Sequence, residues 1–473
     1  MRGQFADVVN IKHFAETPKN HYLCTLIMES DKINLGEQSV SRLFRLYFVP
    51  TLLGMLSLCI VTMADGIFVG QGVGPVGVAA VNIVFAPLMM LIGMGLMVGI
   101  GCSVMASIRL AHGEEQKARL GVSRALAGAT VICVAIVLLM LIRPAATVKI
   151  LGASGQLVAP AIDYLVWLTP SMIANMWSLI GLFVVRLDGS PRYAMWCNVV
   201  PGLLNILLDW VFIFPLGMGL MGAGIATSIS ITVGGLMAIF YLWGRAERLR
   251  LISLPFSCDE LAELWLTLRY QMRIGVSAFL GEATMGMVML TGNIVFMHWL
   301  GADGVAAFGI ACYYCPFFFM IGNAIAQSAQ PIISYNYGLD LLDRVKATER
   351  IAIQTALAFG VTVTAAFILF PRIMVELFIA ADSQAAILAI EGLPLFAACI
   401  VFFIFNVTVI GYFQSVERVW PSVWFALMRG VLFLIPSFVL LPHLLGTPGI
   451  WLALTLSELL TTAAILTFYI VRK

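Results

Sequence analysis

Residues 45–83, RLYFVPTLLGMLSLCIVTMADGIFVGQGVGPVGVAAVNI, decide how the rest of the chain is read. The stretch opens with about 20 mostly apolar residues, enough to cross the hydrocarbon core of a bilayer. One acid, Asp65, lies near the far end of that run. A carboxylate in hydrocarbon is costly, so its first reading is functional, facing a cavity or a partner. A Gly/Pro turn from Gly70 to Gly77 follows, and a second apolar run starts at Val78. The turn returns later: Val73-Gly-Pro-Val-Gly-Val-Ala-Ala80 reappears as Leu300-Gly-Ala-Asp-Gly-Val-Ala-Ala307. A shared Gly-x-x-Gly-Val-Ala-Ala half a chain apart predicts a duplicated membrane unit.

Composition agrees. Of 473 residues, 61% are hydrophobic and 11% charged, whereas soluble domains carry about 25% charged residues. A soluble core this apolar would leave too little polar surface for water, so a polytopic membrane protein is expected. The net charge of +2 comes from Lys and Arg sorted by loop, which excludes a nucleic-acid patch. Nine cysteines, an odd count, argue against a complete disulfide framework. Cys312-Tyr-Tyr-Cys315 falls inside an expected helix and reads as packing rather than redox chemistry. No Cys/His grouping suggests a metal centre, and no cofactor is expected beyond a coupling ion.

Residues 1–44 are polar and mixed in charge, without a signal-peptide core. They are expected to form a loose cytoplasmic tail, with Met28 as a candidate natural start. Twelve apolar segments follow, at 45–69, 78–108, 120–142, 158–184, 193–215, 222–243, 272–299, 305–335, 351–370, 385–411, 419–441 and 449–470. With the N-terminus in the cytoplasm, only Arg143, Lys149 and Arg372 of the 27 Lys and Arg fall in outer loops. Every other one sorts to the inner side, as the positive-inside rule requires. The expected fold is an all-α membrane protein of twelve transmembrane helices in two pseudo-symmetric six-helix lobes. The expected organisation is a tail (1–44), an N-lobe (45–244), a cytoplasmic linker (245–271) and a C-lobe (272–473).

An even number of passes leaves both copies in the same orientation, related by an axis along the membrane normal. Alignment at the shared turn puts Val49 on Val276, Gly74 on Gly301 and Ile83 on Ile310, with Gly113 on Gly338 after a two-residue slip. Asp65 then falls on Gly292, so the acid belongs to one copy alone.

Asn205 and Asp209 stand four residues apart, on one helix face. At about 1.5 Å per residue, Asp65, Asp209 and Thr227 lie at one depth in the outer half of the membrane. Two acids, an amide and a hydroxyl at one level suit a proton or a hard cation such as sodium, held by oxygen ligands. With no Lys or Arg at that depth, the acids must be protonated or ion-bound. Structural roles in helix packing compete with this reading, most strongly for Asn205 and Thr227. In the second half, Glu282 and Glu458 are intramembrane acids, and Asn323, Gln327 and Gln330 lie along segment eight; Asn82 sits near the outer end of segment two. These six residues are the expected substrate cavity.

The chain resembles the multidrug and toxic compound extrusion (MATE) family of secondary transporters, from about Leu43 to Ile470. The likeness rests on Asp65-Gly-Ile-Phe-Val-Gly70 with the Gly74/Gly77 turn, Arg186-Leu-Asp-Gly-Ser-Pro-Arg192 and Asn205-Ile-Leu-Leu-Asp209. Gly222-Ala-Gly-Ile-Ala-Thr227 and Gln327-Ser-Ala-Gln-Pro-Ile-Ile-Ser-Tyr-Asn-Tyr-Gly338 complete it, and an acid in the first helix points to the bacterial branch. The resemblance implies two lobes in a V around a central cavity, and export of organic, cationic compounds against inward proton or sodium flow. It implies a first-lobe cation site at Asp65, Asn205, Asp209 and Thr227. A monomer in the bacterial inner membrane is expected, with a small organic molecule and the lipid bilayer as its partners, and the charge sorting with twelve passes puts both termini in the cytoplasm. Two other readings compete. A lipid-linked sugar flippase would need a basic inner cavity for a diphosphate. A membrane enzyme would need clustered catalytic groups, but His298 and His443 stand near outer helix ends.

Overall fold

Hydrocarbon offers no hydrogen bonds, so each crossing must satisfy its own backbone, and an apolar chain of this kind forms helices. The computed structural model describes residues 33–255, 257–379 and 383–471. Most of the tail, Met28, Arg472 and Lys473 lie outside the described residues. Eleven helices among the described residues are long and apolar enough to span a bilayer. One of these, Cys258–Gly338, contains 81 residues, about 120 Å if straight. It turns at Gly301, where φ is 67° and ψ −156°. Along a straight helix Gly292 and Phe308 would be about 24 Å apart, yet a Cβ on Gly292 would stand 2.2 Å from the Phe308 ring. The segment is therefore two antiparallel passes, and the chain crosses twelve times.

The passes are α1 (Val40–Gly72), α2 (Pro75–Ala111), α3 (Glu115–Ile142), α4 (Val158–Leu168 and Met172–Leu187, joined by a 3-10 turn), α5 (Pro191–Ile213) and α6 (Gly219–Gly244) in the first copy. The second copy holds α7 (258–300), α8 (302–338), α9 (Leu342–Leu369), α10 (Gln384–Ser415), α11 (Val419–Leu427 and Leu434–Leu445, joined by a π turn) and α12 (Thr447–Val471). α4 and α10, fourth in their copies, are largely buried inside the protein. The outward faces carry exposed Ile60, Leu139, Leu203 and Ile294, side chains suited to lipid.

The duplication is visible in the backbone. Gly74 (φ 87°) joins α1 to α2 as Gly301 joins α7 to α8, both in the region that favours glycine. The same spacing pairs Gly219 (φ 57°) with Gly446 (φ 64°), and Gly113 (φ 75°) with Asp340 (φ 55°). The partner of Gly113 is thus Asp340, not Gly338, and the slip in the sequence alignment disappears. Gly338 is helical, and its bare Cα lets α8 approach Ile108 and Ala111 of α2.

α7 starts at Cys258, earlier than the apolar run at 272 suggested. Ser257 caps it by accepting from the Glu260 N–H at 3.1 Å, and Asp259 and Glu260 favour the first turn electrostatically. Arg124 of α3 then grips this polar start, its Nε and Nη2 donating to Glu260 at 2.7 and 2.9 Å. The beginning of the second copy is consequently docked on the first.

The lobes meet along α2, α4, α7 and α8, toward the face that carries the arginine-rich loops. A Cβ on Gly101 would lie 1.9 Å from the Gln271 carbonyl oxygen, and one on Gly275 would lie 1.9 Å from that of Met97. Ile100, Val104, Phe183 and Ile274 close an apolar layer between the lobes. Behind it, Arg344 donates to the Leu35 and Gln38 carbonyls at 3.0 and 2.7 Å, tying the second copy to the segment before α1.

Candidate functional site

α1 delivers Asp65 about two turns before its end, and α5 delivers Asp209 about one turn before its own. The two carboxylates face each other within hydrogen-bonding reach. Both oxygens of Asp209 and Oδ1 of Asp65 are buried with no donor in bonding geometry. Asn205, one turn below Asp209, donates from Nδ2 to Thr227 Oγ1 at 3.3 Å. The structure therefore brings all four first-lobe residues together on α1, α5 and α6. Two opposed carboxylates in a low-dielectric setting repel each other when both are ionised, so the arrangement is suited to taking up a proton or a hard cation. Tyr164 of α4, fully buried and close enough to sense both acids, was not found from sequence. A tyrosine in an apolar run carries no signal of its own there.

The second constellation lies between the lobes. A cavity lined by Glu282, Asn323, Gln327, Gln330, Gln414 and Arg429 is walled on the other side by Leu96, Ile100 and Phe183. Gln327 accepts from Arg186 Nη1 at 2.7 Å, and Gln330 bonds the Ser103 hydroxyl at 3.2 Å. Gln414 donates to Ser277 Oγ at 2.7 Å. Two residues of the expected cavity lie elsewhere. Asn82 is exposed on α2 and does not line it. Glu458 is fully buried behind the wall, where its Oε1 accepts from Arg429 Nε and Nη2 at 3.1 and 2.8 Å.

Arg429 corrects the charge sorting. It is not at an inner helix end but at the π turn of α11, 2% exposed in mid-pass. Its guanidinium stacks 4.0 Å above the Phe403 ring. Asn406 Nδ2 donates to Glu458 Oε2 at 2.7 Å, and Thr462 Oγ1 donates to Asn406 Oδ1 at 2.9 Å. A lone arginine within an apolar run was the available signal, but only its neighbours reveal the pairing. Glu458 neutralises Arg429, which leaves Glu282 as the acid on the cavity wall, while Arg186 behind Gln327 brings a second buried guanidinium close to it.

Duplicated helix lobes around a polar cavity, with a buried acid pair inside one of them, define a membrane transporter of the tandem-repeat kind. The MatE family pattern matches residues 50–211 and again 278–439, so the chain belongs to the MatE family. The two matches fall on the two structural copies. Among curated proteins, the multidrug export protein MepA of Staphylococcus aureus (strain NCTC 8325 / PS 47) is 24% identical over 94% of this chain and 97% of that protein. MepA of Staphylococcus haemolyticus (strain JCSC1435) is 25% identical over 92% and 94%. A solved outward-facing conformation of a multidrug resistance MATE family transporter of the MOP superfamily superposes with a TM-score of 0.84, at 23% identity over 92% of this chain and 96% of that one. A MOP superfamily transporter from Pyrococcus furiosus, described as having a binding pocket of reverse polarity that suggests a different function, gives 0.85 at 22% identity over 94% and 98%. At such identities likeness fixes the fold, while the polarity of the cavity must be read from this chain's own side chains.

Proposed function

We propose that this protein exports organic compounds, cationic amphipathic ones foremost, in exchange for protons or sodium ions. The observation that carries the proposal is the facing of Asp65 and Asp209 without a basic partner. An ion entering between them would draw α1 toward α5; its departure would let them part. An ion that prefers one bend of the first lobe shifts the conformational equilibrium by its differential affinity, and by no more. Glu282 lines the cavity itself, whereas Arg429 is paired with Glu458 and Arg186 stands behind Gln327, an arrangement that supports a preference for positive charge.

The remaining steps follow from the architecture. The two lobes, α1–α6 and α7–α12, rock about the seam, with the connection between α6 and α7 on the cytoplasmic side. Taking the arginine-rich face as cytoplasmic, the seal through Gly101, Gly275 and Ile274 corresponds to an outward-facing state. The export role named for the bacterial MepA relatives supports this direction and a place in the cytoplasmic membrane, and the sorting of Lys and Arg supports both termini inside. Glu282 and the amides that line the cavity support this reading over a lipid-linked sugar flippase, which would need a basic lining.

Efflux from vesicles under separately imposed proton and sodium gradients tests the proposal. One gradient should drive substrate movement in the native protein and fail to do so in Asp65→Asn and Asp209→Asn. Full gradient-driven efflux by both variants would overturn it.

A further inference from the structure

On the arginine-rich face, away from both constellations, a cavity of about 450 Å³ opens between α7 and the α10–α11 turn. Its walls include Tyr270, Arg273, Ile274, Glu417, Arg418 and Trp420. We propose that this pocket binds the phosphate headgroup of an anionic phospholipid from the leaflet on that face.

Charge is the first support. Arg273 and Arg418 are both exposed at the pocket, and Arg109 adds positive potential near Tyr270. The acids nearby are engaged by hydroxyls. Tyr270 donates to Glu417 at 2.7 Å, and Tyr469 donates to Glu349, a carboxylate outside the pocket that lies within electrostatic reach of Arg418. Paired guanidinium forks with unfilled donor capacity suit phosphate oxygens.

Position is the second. Exposed Trp265 on α7, and Trp420 and Trp424 on α11, mark the headgroup level on the adjoining helix faces. Basic pockets between spanning helices at that level are lipid headgroup sites in general. The third support is asymmetry. The first copy turns at Gly189-Ser190, whereas the second turns at Glu417-Arg418, with Glu417 held at φ 55°. A non-glycine residue there is strained, and such outliers gather at functional places. At the repeat spacing Glu417 and Arg418 fall on Ser190 and Pro191, so the charged pair belongs to the second copy's turn.

The pocket floor also bears on transport. Ile274 and Val419 belong to the apolar layer that seals the lobes. A lipid seated there reinforces the sealed arrangement and is released when the lobes part on this face.

The test is native mass spectrometry of the full-length protein titrated with phosphatidylglycerol, phosphatidylcholine or water-soluble glycerol phosphate. One phosphatidylglycerol should bind preferentially, with Arg273→Gln and Arg418→Gln each weakening it about fivefold. Glu417→Gln, which keeps the bond to Tyr270 but removes the negative charge, should tighten it. Arg350→Gln, an exposed arginine of the same face outside the pocket, should leave it unchanged. An equal loss in Arg350→Gln would mean general attraction to the leaflet and overturn the site. Glycerol phosphate binding as tightly as the lipid would overturn the lipid as its occupant.

Discussion

Ser103 and Gln330 occupy equivalent places in the two copies, 227 residues apart, and they hydrogen-bond to each other at 3.2–3.3 Å. A residue can touch its own symmetry mate only beside the axis that relates the copies. The bond therefore marks where the pseudo-twofold axis passes, between α2 and α8, within the seal. Motion of one lobe against the other must strain or break it. Gln330→Ala should remove a bond of about 0.5–1.5 kcal/mol and shift the sealed-to-parted equilibrium several-fold. Hydrogen–deuterium exchange along residues 327–338 checks this; unchanged exchange would mean the bond carries no share of the seal.

The crossing of α2 and α7 depends on two absent side chains. Gly101→Ala or Gly275→Ala would press a Cβ against a carbonyl oxygen at 1.9 Å, and backbone cannot yield as a flexible side chain can. Each substitution should separate the helices and lower the thermal unfolding midpoint by several degrees. The double variant should cost less than the sum, since one displacement relieves both contacts.

Asp188 clamps the α4–α5 turn to the chain leaving α6. Its carboxylate accepts the N–H groups of Glu247, Arg248 and Leu249 at 3.0, 2.9 and 2.8 Å, and the Tyr241 hydroxyl at 2.9 Å. An asparagine would turn an NH2 toward one pair of these donors. Asp188→Asn should therefore destabilise by about 1–3 kcal/mol, read as a lower unfolding midpoint in detergent. Stability equal to the native protein would show that the clamp contributes nothing.

The Arg429–Glu458 pair is sensitive to one-sided change. Glu458→Gln leaves a buried guanidinium without its counter-charge, a loss of about 3–5 kcal/mol. Arg429→Met combined with Glu458→Leu removes both charges and should recover much of that loss. A double-mutant cycle on unfolding midpoints decides the matter; purely additive losses would rule out direct coupling.

Much of this fold was legible in the linear chain because hydrocarbon imposes one rule on every pass. Twenty apolar residues mean a crossing, glycine at a repeated spacing means a repeated turn, and sorted arginines mean a consistent inner face. Asp65, Asn205, Asp209 and Thr227 were also readable, since an acid in an apolar run is conspicuous and helix rise converts position into depth.

What the chain could not disclose was who meets whom across helices. Asp340 takes the backbone role of Gly113, yet no residue type announces it, because a packed surrounding can hold a non-glycine residue in that conformation. Glu458 and Arg429 sit 29 residues apart in sequence and join as one neutral unit, which left Glu282 as the acid on the cavity wall. Burial and pairing are properties of three-dimensional neighbours: the sequence by itself determined the crossings, their number and the repeat, and the tertiary structure alone decided which charges cancel.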